Sequence, residues 1–236
     1  QEAAWHGLAG QRVGLVLGPP GTGKTHLLSW LITGFGAVRP AAGHTARTLV
    51  TAFTKNAVGN VLDAVAKRQA LHDPGAPPPI FYGAPPIGGL APGVQLLARG
   101  DEAGVAQQIA SGQAVIGATI WSLYRLIGSG ALPVVDGPTA PLFDLICIDE
   151  ASQMVLGQGL MALAGMAPHC RIVVSGDDQQ LPPVRSMRST KVEGREMGGS
   201  LYAFLKSAAA AEFPLEETFR LNAPLTHFPE RKFYPG

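Results

Sequence analysis

The chain has 236 residues, 46% of them hydrophobic, and a positive mean hydropathy, enough for a large core in one α/β domain or two small ones; this excludes disorder along its length. A formal net charge of +1 excludes a protein that holds duplex DNA mainly by neutralising phosphates, so any grip on nucleic acid must come from placed groups. No apolar run approaches the ~20 residues that cross a bilayer, and the N-terminus lacks the basic-then-apolar pattern of a secretory signal, so a cytoplasmic protein without a membrane partner is expected.

The first apolar β-branched run, Val13 to Leu17, leads into Gly18-Pro19-Pro20-Gly21-Thr22-Gly23-Lys24-Thr25, and a helical pattern over His26 to Ile32 follows. Strand, glycine loop and helix in that order are the setting of a phosphate-binding loop. The glycines let successive backbone N–H groups turn inward around a β-phosphate, and the helix N-terminus adds partial positive charge. In such a loop Lys24 reaches the β- and γ-phosphates of ATP, and the Thr25 hydroxyl ligates magnesium. A plain glycine turn is the alternative, and the flanking elements argue against it.

Further along, Thr48 to Ala52 reads as a strand, and Ala57, Val58, Val61, Leu62 and Val65 recur at helical spacing. From Asp73 to Gly93 the chain is dense in proline and glycine, with Pro77, Pro78 and Pro79 consecutive, which stops either periodic element. An insertion lying over one edge of the fold, reaching to about residue 113, is expected. Ala114 to Ala118 is the next strand; beyond it Trp121 and Tyr124 share helical spacing with Leu123 and Ile127, which favours core packing over stacking on bases.

Leu145 to Ile148 is a buried strand ending in Asp149 and Glu150. Carboxylates at a strand tip beside a phosphate loop suit a metal shell, for Asp149, and the polarising of an attacking water, for Glu150. Capping of the next helix is the plainer alternative. Cys147 and Cys170 are too few for a disulfide framework or a four-ligand zinc site and are expected as buried thiols. Leu156, Leu160, Met161 and Leu163 form another helical stripe, and Arg171 to Ser175 is the last predicted strand. Gln180 follows it, so it should emerge at the same sheet edge as Asp149 and Glu150, where its amide could sense a γ-phosphate.

Pro182 to Gly199, with Arg185, Arg188, Lys191 and Arg195 against Glu193 and Glu196, reads as an irregular, mildly basic loop, mobile from about residue 184. The six histidines show no metal-ligand rhythm, and His26 is left as a helix residue. Strands alternating with helices predict one α/β domain over 1–236, a mostly parallel sheet with helices on both faces. Thr51, Thr54 and Thr119 fall at or beyond predicted strand ends, where hydroxyls can bond phosphates without reading bases, although threonine is also common in strands. Lys55 is a further candidate contact.

Asp149-Glu150-Ala151-Ser152, followed by Gly176-Asp177-Asp178-Gln179-Gln180-Leu181-Pro182-Pro183, resembles the central motifs of superfamily 1 helicases. The likeness is to the subgroup, superfamily 1B, of the nonsense-mediated-decay RNA helicase and the Okazaki-fragment helicase-nuclease. Thr51-Ala52-Phe53-Thr54-Lys55-Asn56-Ala57-Val58 resembles that subgroup's strand-to-helix motif on the nucleic-acid backbone, and Gly117-Ala118-Thr119 its next backbone-contacting turn. Gln1 stands at the spacing of the glutamine that reads adenine, and Leu215-Glu216-Glu217-Thr218-Phe219-Arg220 resembles the motif closing the first motor domain.

The resemblance implies a RecA-like P-loop NTPase fold, Phe219 stacked near the base and Arg220 on the γ-phosphate. It also implies movement 5′ to 3′ on single-stranded nucleic acid, DNA favoured over RNA, and a second RecA-like domain outside this chain. The family usually has glutamine and tyrosine before the arginine, where this chain has Thr218 and Phe219. A nucleotide-gated protein-binding module is the alternative; it would keep the loop and the acids without needing the threonines or Gln180.

Overall fold

Neighbouring residues of the apolar strands enter opposite cores: Leu15, Leu49, Ile116, Ile146 and Val174 belong to one, and Val16, Val50, Val115, Cys147 and Val173 to the other. This is the period of two that a strand imposes on its side chains, and burial on both sides demands helices on both faces. The structure, a computed structural model, describes residues 1–132, 142–184, 190–192, 194–219 and 232.

Its elements in chain order are α1 (Glu2–Ala9), β1 (Val13–Leu17), α2 (Lys24–Ala41), β2 (Ala46–Ala52), α3 (Lys55–His72), β3 (Ile80–Tyr82), β4 (Gln95–Leu97), α4 (Glu102–Ala110), β5 (Gln113–Gly117), α5 (Ile120–Gly128), β6 (Phe143–Asp149), α6 (Leu156–Ala162), β7 (Met166–Gly176), β8 (Lys191–Val192), β9 (Arg195–Glu196), α7 (Leu201–Ser207) and β10 (Ala211–Pro214).

Eight strands form one sheet in the order β10-β1-β7-β6-β2-β5-β3-β4, and every described pairing in it is parallel. Helices α1, α2 and α3 cover one face through Leu8, Leu28, Ile32, Val58 and Leu62; α4 to α7 cover the other through Ile109, Leu123, Leu126, Leu156 and Leu201. Each such fully buried aliphatic side chain contributes ~1.5–3 kcal/mol of transfer free energy. Parallel strands bring the ends of β1, β7, β6, β2 and β5 to one edge of the sheet, where the loops of an α/β fold build their sites. The expected α/β class and all five predicted strands are present, most of them longer than their apolar runs.

Three expectations are corrected. The stretch 73–113 does not merely lie over an edge: it extends the sheet by β3 and β4 and supplies α4, with Ile80, Phe81 and Tyr82 buried as β3. The prolines stop just before β3, so they bound this strand without breaking it.

Trp121 and Tyr124 are not core residues but 61% and 63% exposed. Ile120, Leu123 and Leu126 form the buried stripe of α5, and Trp121 and Tyr124, three apart from each other, share a different face. The third correction concerns Pro182 to Gly199, which holds the antiparallel pair β8 and β9, with Lys191 opposite Glu196; Arg185, Arg188 and Glu193 lie outside the described residues.

Strand β10, which pairs with β1 and gives the sheet its other edge, was not foreseen. Cys147 and Cys170 are buried and free. Among the described residues no helix is long and apolar enough to cross a membrane.

Candidate active site

The turn from β1 to α2 is made by Gly21 (φ 84°) and Gly23 (φ 87°), left-handed conformations that an L side chain rarely adopts. Gly23 heads α2, so Lys24 and Thr25 are its first residues. Thr22 is buried and its hydroxyl donates to the Pro19 carbonyl at 2.9 Å, closing the loop on itself. The Lys24 ammonium is folded against the loop, donating to the carbonyls of Gly18 and of Pro19, the latter at 3.3 Å.

Two distant segments brace the loop. The Gln1 amide donates to the Thr22 carbonyl at 3.1 Å. On the other side Leu215 N donates to Leu17 O at 2.7 Å and Phe219 N to Gly21 O at 2.9 Å. Thr218, where the resemblance calls for another residue, donates its hydroxyl to Pro20 O at 3.2 Å. Phe219 itself is exposed beside the loop, and Arg220 lies outside the described residues.

Asp149 ends β6 and is buried; its Oδ1 accepts from the Ser175 hydroxyl and, at 2.9 Å, from the Glu150 backbone N–H. The pairing of Ile148 with Val174 sets Ser175 beside Asp149 on the neighbouring strand. Glu150 turns the chain with φ 53°, and its Oε2 accepts from the Thr54 hydroxyl at 3.2 Å. Burial, and then the charge of Asp149, push the Glu150 carboxyl above its ordinary value; the Thr54 bond and the Lys24 charge pull the other way without cancelling them.

Beyond β7, Asp177 organises the loop that carries Gln180. Its backbone N–H donates to Ser152 Oγ at 2.6 Å, while its carboxylate accepts from Gln179 N at 3.1 Å and from the Gln180 side-chain amide at 2.9 Å. Next to it, Lys206 of α7 joins Asp178 at 2.8 Å to Glu212 of β10 at 3.2 Å, and the buried Tyr202 donates to Glu212 at 2.8 Å. The loop is thus tied to the helix layer behind it.

Gly21, Gly23, Lys24, Thr25, Asp149, Glu150, Gln180 and Phe219 all line one cleft of about 590 Å³. Among the described residues no three His, Cys, Asp or Glu side chains gather to hold a metal ion by themselves. Magnesium takes one or two protein oxygens and completes its shell with phosphate oxygens and water. The donor set fits: Thr25 and Asp149 offer a hydroxyl and a carboxylate to the same cleft.

The candidate nucleic-acid residues divide. Thr51 is a correction: it is fully buried in β2 opposite Ile148, with a hydroxyl that has no hydrogen-bond partner among the described residues, so no phosphate can reach it. Thr54 caps α3, accepting from Ala57 N at 3.1 Å, and Thr119 caps α5, accepting from Ser122 N at 3.4 Å. Lys55, the first residue of α3, is exposed.

Sequence reasoning missed Ser175 and the hub role of Asp177, whose partners come from neighbouring strands and loops, and it left His26 unassigned. His26 lines the cleft; its Nδ1 lies 2.9 Å from the Arg68 guanidinium and its Nε2 accepts from Trp30 at 3.2 Å. Burial, helped by the Arg68 charge, lowers its pKa.

A glycine loop on the first strand, with acids on a strand one place removed and a helix opening on Lys-Thr, defines a P-loop domain of the RecA-like class. The chain belongs to the family described as AAA domain, which matches residues 1–186.

It is similar to Probable helicase MAGATAMA 3 of Arabidopsis thaliana, 32% identical over 94 residues, which is 40% of this chain and 11% of that protein. Among solved structures it is similar to arterivirus nonstructural protein 10, a helicase in complex with DNA, at 14% identity and a TM-score of 0.46, covering 97% of this chain and 42% of that one. It is also similar to the Pif1 helicase from Candida albicans, at 18% identity and a TM-score of 0.45, covering 93% of this chain and 39% of that one. The chain therefore spans about a tenth of the plant relative and about two fifths of each solved helicase.

Proposed function

We propose that residues 1–236 form the nucleotide-binding half of a superfamily 1 helicase motor, which couples Mg-ATP hydrolysis to 5′-to-3′ movement on single-stranded nucleic acid, DNA favoured over RNA. A second RecA-like half is its partner in the longer protein. The observation that carries this reading is convergence: Lys24 and Thr25, Asp149 and Glu150, and Gln180 come from the ends of three neighbouring strands, β1, β6 and β7, and line one cleft.

In this reading the loop N–H groups and Lys24 hold the β- and γ-phosphates, and Gln1 and Phe219, both braced against the loop, border the base. Thr25 and Asp149 would hold magnesium, which would supply charge neutralisation to the phosphates. Glu150, more basic than an ordinary carboxylate, polarises the attacking water. Gln180 offers its amide to the γ-phosphate, and Arg220 adds a cation there by family likeness. Because Gln180 is bonded to Asp177, and the neighbouring Asp178 to Lys206 of α7, loss of the γ-phosphate is felt in the loop and the helix behind it. Lys55 and the turn at Thr119 supply the sequence-independent grip on phosphates.

Strand displacement by the longer protein carrying Glu150→Gln tests the reading. Unwinding should be lost while ATP is still bound; unwinding that persists would remove this cleft from the motor, and a parent protein that binds ATP but displaces no strand would make the nucleotide-gated binding module the better account.

A further inference from the structure

Thr54 belongs to a motif whose likeness implies contact with a nucleic-acid backbone, yet its hydroxyl is already spoken for on both sides. A threonine hydroxyl has a single proton to donate. Here that proton goes to Glu150 Oε2 at 3.2 Å, while the oxygen accepts the N–H of Ala57 at 3.1 Å as the cap of α3. A phosphate oxygen needs a donor, so it could take this hydroxyl only by displacing Glu150.

The contact follows from the sheet. Strands β2 and β6 are parallel neighbours with Ala52 in register with Asp149, so Thr54 and Glu150 both lie just past the same rung. Among the described residues Thr54 gives the Glu150 side chain its only hydrogen bond. Of its charged neighbours, Asp149 disfavours and Lys24 favours the ionised carboxylate.

We propose that Thr54 is a positioning residue for hydrolysis: it holds Glu150 by Oε2, leaving Oε1 to accept from water, and it does not itself grip nucleic acid. This inference rests on the reading of Glu150 given above. It makes the start of α3 a rigid link between the end of β2 and the reacting edge of the cleft.

The test is single-turnover hydrolysis of radiolabelled ATP by this chain, with ATP affinity, melting temperature and oligonucleotide affinity measured on the same variants. Thr54→Val should lower the hydrolysis rate about ten- to a hundredfold, as a small misplacement of a reacting group does, with ATP and oligonucleotide affinities unchanged. Thr54→Gly remains an acceptable N-cap for α3 but offers Glu150 no donor, so it should nearly hold the melting temperature and still be slow. Thr54→Ser should recover most of the rate. In a Glu150→Gln background Thr54→Val should cost little more.

A fast Thr54→Val, or one whose only loss is oligonucleotide affinity, overturns the inference while leaving the site intact. If Glu150→Gln hydrolyses ATP as fast as the parent chain, the reading of Glu150 fails and this inference falls with it.

Discussion

At Glu150 the local environment sets the direction of a pH response. Burial and the neighbouring Asp149 raise its pKa above the ordinary 4.5, because both disfavour the charged form. A base must be ionised to polarise water, so hydrolysis is expected to fall as pH drops through this raised value and to be complete above it. A profile of the hydrolysis rate against pH should show an acid limb above 4.5, and Glu150→Gln should both remove that limb and slow the reaction by ~10²–10⁴. A flat profile in the parent chain would remove Glu150 from the chemistry.

Lys24, Asp149, Glu150 and Gln180 were legible because each follows an apolar run in a fixed local order. Their partners were not: Ser175 and Asp177 act through contacts between neighbouring strands and loops, which no local pattern records. Thr51 was misread for the same reason, since a strand-end hydroxyl looks alike whether it faces water or, as here, the core.

Among elements, the apolar strands were readable from β-branched runs, whereas β3, β4 and β10 are three or four residues long and too short to show a period. Helix α5 shows the limit from the other side: four apolar or aromatic residues at helical spacing were taken as one face, when the core claims Leu123 and water claims Trp121 and Tyr124.

Strands β2 and β6 share another contact invisible to periodicity. Arg47 Nε donates to Asp144 Oδ2 at 3.0 Å and its terminal nitrogen to Oδ1 at 3.1 Å, a two-pronged pair at the start of both strands, the opposite edge from the cleft. Burial alone would raise the Asp144 carboxyl, but the Arg47 side-chain bond, with those from the Arg47 backbone and Thr45, outweighs it and holds the group below its usual 3.8. The stabilisation is therefore present above that value and is lost as pH falls through the depressed one. Arg47→Ala strands a largely buried carboxylate and should cost ~3 kcal/mol in urea unfolding at neutral pH, with ATP affinity retained because the cleft is elsewhere. The variant's deficit should shrink on acidification; a deficit unchanged between neutral pH and pH 3 would show that the ion pair is not its origin.

For the molecule as a whole the decisive quantity is charge in the cleft. Among its described lining residues Lys24 is the one lysine or arginine, facing Asp149, Glu150 and Asp177. A triphosphate brings several more negative charges, and transfer of its terminal group leaves charge on oxygens that Lys24, a magnesium ion and the Arg220 cation proposed above would only partly balance. On the proposed reading a further cation would be needed for rapid turnover, and an arginine reaching in from a second RecA-like half would supply it; such a residue is typically worth ~10³–10⁵ in rate. A protein of residues 1–236 is accordingly expected to bind Mg-ATP yet hydrolyse it slowly, and oligonucleotide should accelerate it little, since the arginine is the element in deficit. Steady-state ATPase rates for this chain and for the longer protein, each with and without single-stranded DNA, make the comparison. Equal rates would mean that the cleft completes its own chemistry, and the two-half motor would then have to be abandoned in favour of a self-sufficient ATPase.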